Sequence, residues 1–290
     1  QRNQAQKTAR IATSKSLAAF ALMEVDKDTE LSILLSTESV KTTYQVDGIV
    51  LPLSKTVLRQ SILGSRIRLT LRGHGDGVVF SVAWSPDGQR IVTGSADETA
   101  KVWDAQTERE LSTLTGHDGW VMSARYSPDG QRIVTAALGG TAKVWDAQTG
   151  QEVFDLIGHD DSLNSAVWSP DGQRIVTVSR DHTAKVWDTG VGQELFNLIG
   201  HTHDVNSVAW SPDGKQLLTG SEDQTAKVWD GETGKELLTL AGHSEGVNSV
   251  AWSLDGRILT GSTDMTAKVW DGETGKELLT LAGHDEKVFS

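Results

Sequence analysis

The sequence predicts an all-β fold, a β-propeller of five complete four-stranded blades plus the start of a sixth, preceded by a short α-helical segment. Two observations predict it. The hexamer Thr-Ala-Lys-Val-Trp-Asp recurs five times, placing Trp103, Trp145, Trp187, Trp229 and Trp270 at spacings of 42, 42, 42 and 41 residues. The dipeptide Gly-His recurs six times, at His74, His117, His159, His201, His243 and His284, and uses all but two of the 8 histidines. A period between about 20 and 50 residues marks a repeat architecture and decides the fold before local propensity does.

Each element follows from the residues of one unit. After Gly-His come alternating residues such as Val82-Ala83-Trp84, then Ser85-Pro86-Asp87-Gly88, then Ile91-Val92-Thr93. Alternation, turn and alternation make a hairpin. Pro86 fixes φ at the second turn position, and Gly88 accepts positive φ without a Cβ clash. A second turn falls at Asp97 to Thr99 and a third at Gln148-Thr149-Gly150, with Leu111 to Leu114 and its counterparts as the last strand. Such a sheet cannot bury both faces alone, so the units must stack, and radial stacking leaves only short sheet edges exposed. Trp84, Tyr126, Trp168, Trp210 and Trp252 are placed to pack between sheets.

The domain organisation expected is a helical connector over residues 1–64 and the propeller over 65–290. Its units lie near 73–104, 116–146, 158–188, 200–230 and 242–271, with a partial one at 283–290. The stretch from Gln4 to Met23 carries Ala, Leu and Ile at helical spacing, and Leu31 to Val40 continues it. The ring is expected to be open, or completed by sequence beyond this chain, which begins with Gln rather than Met. The 14-residue stretch Asp230 to His243 recurs unchanged at Asp271 to His284, as a recent duplication would leave it.

Composition removes several functions. With no cysteine there is no disulfide, thiolate metal site or Cys nucleophile, and the preference is for a reducing, cytoplasmic setting. No apolar run approaches the roughly 18 residues of a membrane span, so no membrane association is expected. Residues 1–64 carry 8 Lys and Arg against 6 Asp and Glu, so the repeats carry 19 against 33. A field of that sign repels phosphates, and no nucleic-acid partner is expected.

Gly-His followed about 28 residues later by Trp-Asp, in a unit of about 42, resembles the WD-repeat family. That resemblance implies a hydrogen-bonded network in each blade: the Gly-His histidine, a hydroxyl of the second strand, the turn Asp and the third-strand Trp. Carried onto this sequence, the sets are His74, Ser95, Asp97 and Trp103; His159, Ser179, Asp181 and Trp187; His201, Ser221, Asp223 and Trp229; and His243, Ser262, Asp264 and Trp270. The second blade keeps His117 and Trp145, but Ala137 and Gly139 replace hydroxyl and carboxylate, so it should be the loosest. The segment from Glu30 to Lys41, leading into Leu69 to His74, resembles the connector before the WD repeats of bacterial STAND-type signalling ATPases.

No catalytic residue, cofactor or metal is implied. Gly234-Lys235 and Gly275-Lys276 lack the rest of a phosphate loop, and His201-Thr202-His203-Asp204 has its first histidine taken by the repeat. Positions that vary between otherwise identical units are the candidates for a protein or peptide partner. They are Phe80, Met122, Asn164, Asn206 and Asn248 at the inner-strand entrance, Ala96, Leu138, Arg180, Glu222 and Thr263 before the second turn, and Trp120. Phe80, Trp120, Met122 and Leu138 form the expected hot spot. The chain is therefore expected to be a non-catalytic interaction platform, in the sensing part of a STAND-type ATPase or as a scaffold of a kinase or cyclase. Oligomers through open ring ends are a further expectation.

Overall fold

The computed structural model describes residues 71–283 together with Glu286 and Val288. The helical segment expected over 1–64 lies outside these residues. The first blade is an antiparallel meander of β1 (Val79–Trp84), β2 (Arg90–Ser95), β3 (Ala100–Asp104) and β4 (Glu110–Leu114). Four further sheets repeat it in chain order, and their first strands are β5 (Val121–Tyr126), β9 (Leu163–Trp168), β13 (Val205–Trp210) and β17 (Val247–Trp252).

The local chemistry explains the turns. Gly88 N–H donates to Ser85 O at 2.9 Å with Gly88 at φ 68°, a conformation that costs glycine little. Asp87 accepts from Ser85 Oγ at 2.6 Å and from the Gln89 N–H at 3.0 Å. In the third turn of the second blade, Asp146 Oδ1 accepts from Gln148 N–H, Thr149 N–H and Thr149 Oγ, and Gly150 N–H closes on Asp146 O at 2.9 Å. Gly234 and Gly275 sit in the equivalent turns at φ 70°, each closed on Asp230 or Asp271. The Gly-Lys pairs are therefore hairpin turns.

Successive sheets meet through one repeated joint. The leading sheet supplies Val92, Ala100, Val102 and Leu114, and the following sheet supplies Val121, Ala124, Tyr126, Ile133 and Trp145, all buried together. Three more joints repeat this set along the chain. Arginine ties cross the same joints, from Arg90 Nη1 to Ala147 O at 2.8 Å and from Arg132 Nη1 to Thr189 O at 2.6 Å. The two outermost faces carry the same residues uncovered. Trp84 is 60% exposed where Tyr126 is 9%, and Leu259 is 43% exposed where Leu218 is 0%.

Candidate interaction face

Strand direction gathers the variable residues. Each first strand begins, and each second strand ends, at the same side of its sheet. The Gly-His loops and the second turns therefore share one upper face, while the Ser-Pro-Asp-Gly turns lie on the opposite face. Beneath the upper loops sits the His-Asp network.

In the first blade His74 Nδ1–H donates to Asp97 Oδ2 at 2.8 Å, and His74 Nε2 accepts from Thr93 Oγ1 at 2.6 Å. Trp103 Nε1–H donates to the same Thr93 oxygen at 2.9 Å. The third, fourth and fifth blades repeat the chain with Thr177, Thr219 and Thr260. The structure thus corrects the expected hydroxyl: threonine two residues before the serine bridges imidazole and indole. Ser95, Ser179, Ser221 and Ser262 have another task. Each accepts from the N–H of its turn Asp, at 3.2, 3.0, 3.1 and 3.1 Å. The last three also donate to a backbone carbonyl of the Gly-His loop. Threonine and serine face one side of the strand and both are buried, but only threonine lies within hydrogen-bonding distance of the tryptophan.

The electrostatics follow. Burial alone would raise the Asp223 carboxyl, but hydrogen bonds from His201 and Thr225 overcome it and hold the group well below the usual carboxylate range. Asp264 is lowered in the same way, against burial, by Thr266 and His243. Burial lowers the His159 imidazole despite its bond to Asp181.

The second blade departs by one group rather than two. Thr135 bridges His117 Nε2 at 2.5 Å and Trp145 Nε1 at 2.8 Å, so the hydroxyl is present. The carboxylate is not, and His117 Nδ1 is buried without a partner. Burial, then the Lys143 charge, push the His117 imidazole down to about 4. No carboxylate could be added to the backbone as it stands, because a Cβ on Gly139 would lie 1.9 Å from Asp118 O. The Gly-His loop has closed into the space.

The variable residues fall into two groups. In the later blades asparagine reaches the unit that follows: Asn164 Nδ2 donates to Val205 O at 3.0 Å, Asn206 to Val247 O at 3.3 Å and Asn248 to Val288 O at 3.2 Å. Asn206 and Asn248 also hold Glu222 and Thr263 at 2.9 Å. Arg180 Nε donates to Asn164 Oδ1 at 3.4 Å and lies 4.0 Å from Asp204. Asn206 and Asn248, singled out for partner contact, are thus engaged within the chain, each at a register shift between the first two strands of its sheet that sequence does not reveal.

In the first two blades the same positions are apolar. Phe80 stacks on Trp120, ring centroids 5.4 Å apart and 23° between planes, and the two are 38% and 48% exposed. Leu138 N–H donates to Trp120 O at 3.0 Å, which puts half-buried Leu138 beside the stack. Met122, also half-buried, occupies the Phe80 position one blade on. Among the described residues no three His, Asp or Glu side chains group as metal ligands. Within the same residues no helix is long and apolar enough to cross a membrane.

A family model described as the TolB beta propeller domain matches residues 57–255. Shorter stretches are similar to curated proteins. The vegetative incompatibility protein HET-E-1 of Podospora anserina is 60% identical over 35 residues, 12% of this chain and 2% of that protein. The WD repeat-containing protein srw1 of Schizosaccharomyces pombe is 45% identical over 49 residues, 16% of this chain and 9% of that protein. A dynein assembly factor with WD repeat domains of Xenopus laevis is 36% identical over 75 residues, 26% of this chain and 18% of that protein. The similarity thus spans a small part of each relative's length.

Proposed function

Since the chain belongs to the β-propeller family of the TolB beta propeller domain, with WD repeats for blades, we propose that it is a non-catalytic platform that binds a protein or peptide on its upper face. The observation that carries this reading is the exposed Phe80–Trp120 stack, set among loops whose neighbours are committed to holding the blades together. Exposed aromatic side chains on a rigid scaffold are the common anchors of protein interfaces.

The His-Asp pairs do not favour an enzyme. The hydroxyl that would serve as nucleophile is occupied from both sides by imidazole and indole, and Thr135, Thr177, Thr219 and Thr260 are 0% exposed. A nucleophile needs access to substrate as well as a base.

In its larger setting the chain is the ligand-sensing part of a STAND-type signalling ATPase, a reading supported by the resemblance of Glu30 to Lys41 to the connectors of such proteins. A scaffold within a kinase or cyclase is the alternative. The uncovered end faces, with Trp84 on one and Leu259 on the other, favour further blades or a second copy docking there.

The test is differential capture of partners by three immobilised chains: the native one, Phe80→Ala with Trp120→Ala, and Leu254→Ala on the opposite face. A partner lost only with the aromatic pair supports the platform. A partner retained by the aromatic variant and lost with Leu254→Ala contradicts it.

A further inference from the structure

The upper face carries a second feature over the same blades. Asp76, Asp118, Asp160 and Asp161 are exposed on the Gly-His loops of the first three blades, and Glu98 on the second turn of the first. The cation of those loops is Arg72, and the next along the face is Arg180, which is engaged with Asn164. The lysine ion pairs, Lys101–Glu110 and its counterparts, join third and fourth strands instead. Among the described residues none of the four loop aspartates joins an ion pair with Lys or Arg.

Three of these aspartates lie on the loops that flank Trp120 and Leu138. Asp118 is two residues from Trp120, and its carbonyl packs against Gly139 next to Leu138. Ser162 Oγ donates to Leu138 O at 2.7 Å, which brings the Asp160-Asp161 loop to the other side of Leu138. Gly140 packs against the carbonyl of Asp161. The turn between them has no carboxylate bonded to His117, whose Nδ1 is buried and unpartnered below it.

We propose that this patch, Phe80, Trp120 and Leu138 with Asp118, Asp160 and Asp161 on the flanking loops, binds a cationic segment of a partner: an extended peptide that lays an Arg or Lys side chain over the exposed rings. The proposal rests on the platform reading and names its partner's chemistry. A guanidinium or ammonium gains from the ring face while the aspartates supply attraction at longer range. An acidic or phosphate-bearing segment meets repulsion from the same groups. The turn that presents Leu138 lacks the His tether that the other four blades carry and is held to the loops on either side by Trp120 O and Ser162 Oγ instead.

The experiment is fluorescence anisotropy of the full chain with three labelled probes: a twelve-residue peptide of alternating Arg and Ser, the same peptide with Glu for Arg, and a single-stranded DNA oligonucleotide. The Arg peptide should bind, and Trp120→Ala should weaken it by about tenfold or more. Replacing Asp118, Asp160 and Asp161 with Asn should weaken it roughly three- to tenfold and flatten its salt dependence. Leu254→Ala should leave it unchanged, and circular dichroism checks that each variant is folded. Binding of the Glu peptide that is lost with Trp120→Ala would overturn the cationic assignment and leave the platform standing. Binding of the DNA in preference to the Arg peptide, or no binding of the Arg peptide, would also overturn the assignment. Binding of either peptide untouched by both Trp120→Ala and Phe80→Ala would overturn both readings.

Discussion

The second and fourth blades hold the same imidazole, hydroxyl and indole, yet one has a carboxylate closing the chain and the other a glycine. In the fourth, His201 is bonded at both ring nitrogens, to Asp223 and Thr219, each at 2.8 Å. In the second, His117 is bonded at one, and the loop above has moved in to fill the gap. The difference teaches that the Thr–Trp half of the network builds the sheet, because it survives alone. The His–Asp half fastens the upper loops. The second blade, where the fastening is missing, carries Trp120 exposed on its upper face and Met122 where the later blades have asparagine.

The largest effect should come from breaking the half that both blades share. Thr219→Val leaves the Trp229 indole and His201 Nε2 buried without a partner, and should cost about 2–5 kcal/mol in urea unfolding, against about 1 kcal/mol for Ser221→Ala. Equal costs for the two variants would reverse the assignment of the bridging hydroxyl.

Acid should separate the blades next. The His117 group is held at about 4 in the folded chain, below its usual 6.5, so between those values the unfolded state binds more protons. The stability of the second blade is therefore complete above 6.5 and falls as pH drops toward 4, by up to roughly 3 kcal/mol. Asp223 and Asp264 are lowered as well, but against burial, by their hydrogen bonds: the stability they give is present above the ordinary carboxylate value of 3.8 and is lost only below it. Replacing His117 with Gln should flatten the stability profile between 4 and 6.5. An unchanged profile would show that His117 is not the titrating group.

Comparing His201→Ala with His117→Ala sharpens the same point. The first leaves Asp223 part-buried without its imidazole, whereas the second strands no carboxylate, so the first should cost more by about 1–2 kcal/mol. Gly139→Asp asks whether the missing carboxylate can be put back. Its Cβ would meet the backbone carbonyl of Asp118 at 1.9 Å, so the variant should not restore the missing bond and should destabilise by about 2 kcal/mol instead of gaining stability.

The fold was legible because the period carries it. Trp103 and its counterparts, the Gly-His loops and the Ser-Pro-Asp-Gly turns each correspond to one feature of a sheet. The network was legible only in part. Thr93 and Ser95 are both hydroxyls on one side of β2, and alternation cannot tell which reaches the indole. A signal was present, since the threonine is kept in all five units while the second unit changes serine to Ala137. The rim was least legible. Asn164, Asn206 and Asn248 vary from Phe80 and Met122 as binding residues would, but they reach carbonyls about 40 residues on, across a joint that no local pattern encodes.

The most direct test of the central claim is hydrogen–deuterium exchange of the whole chain, free and with the Arg peptide. Loops 116–120 and 138–140 should exchange faster than loops 200–204 and 222–224 in the free chain. On binding, protection should appear at 78–80, 116–120, 138–140 and 160–162 alone. Equal exchange of the two blades in the free chain, or protection confined to the turns at 85–88 and 127–130, would contradict the assignment of the interaction face.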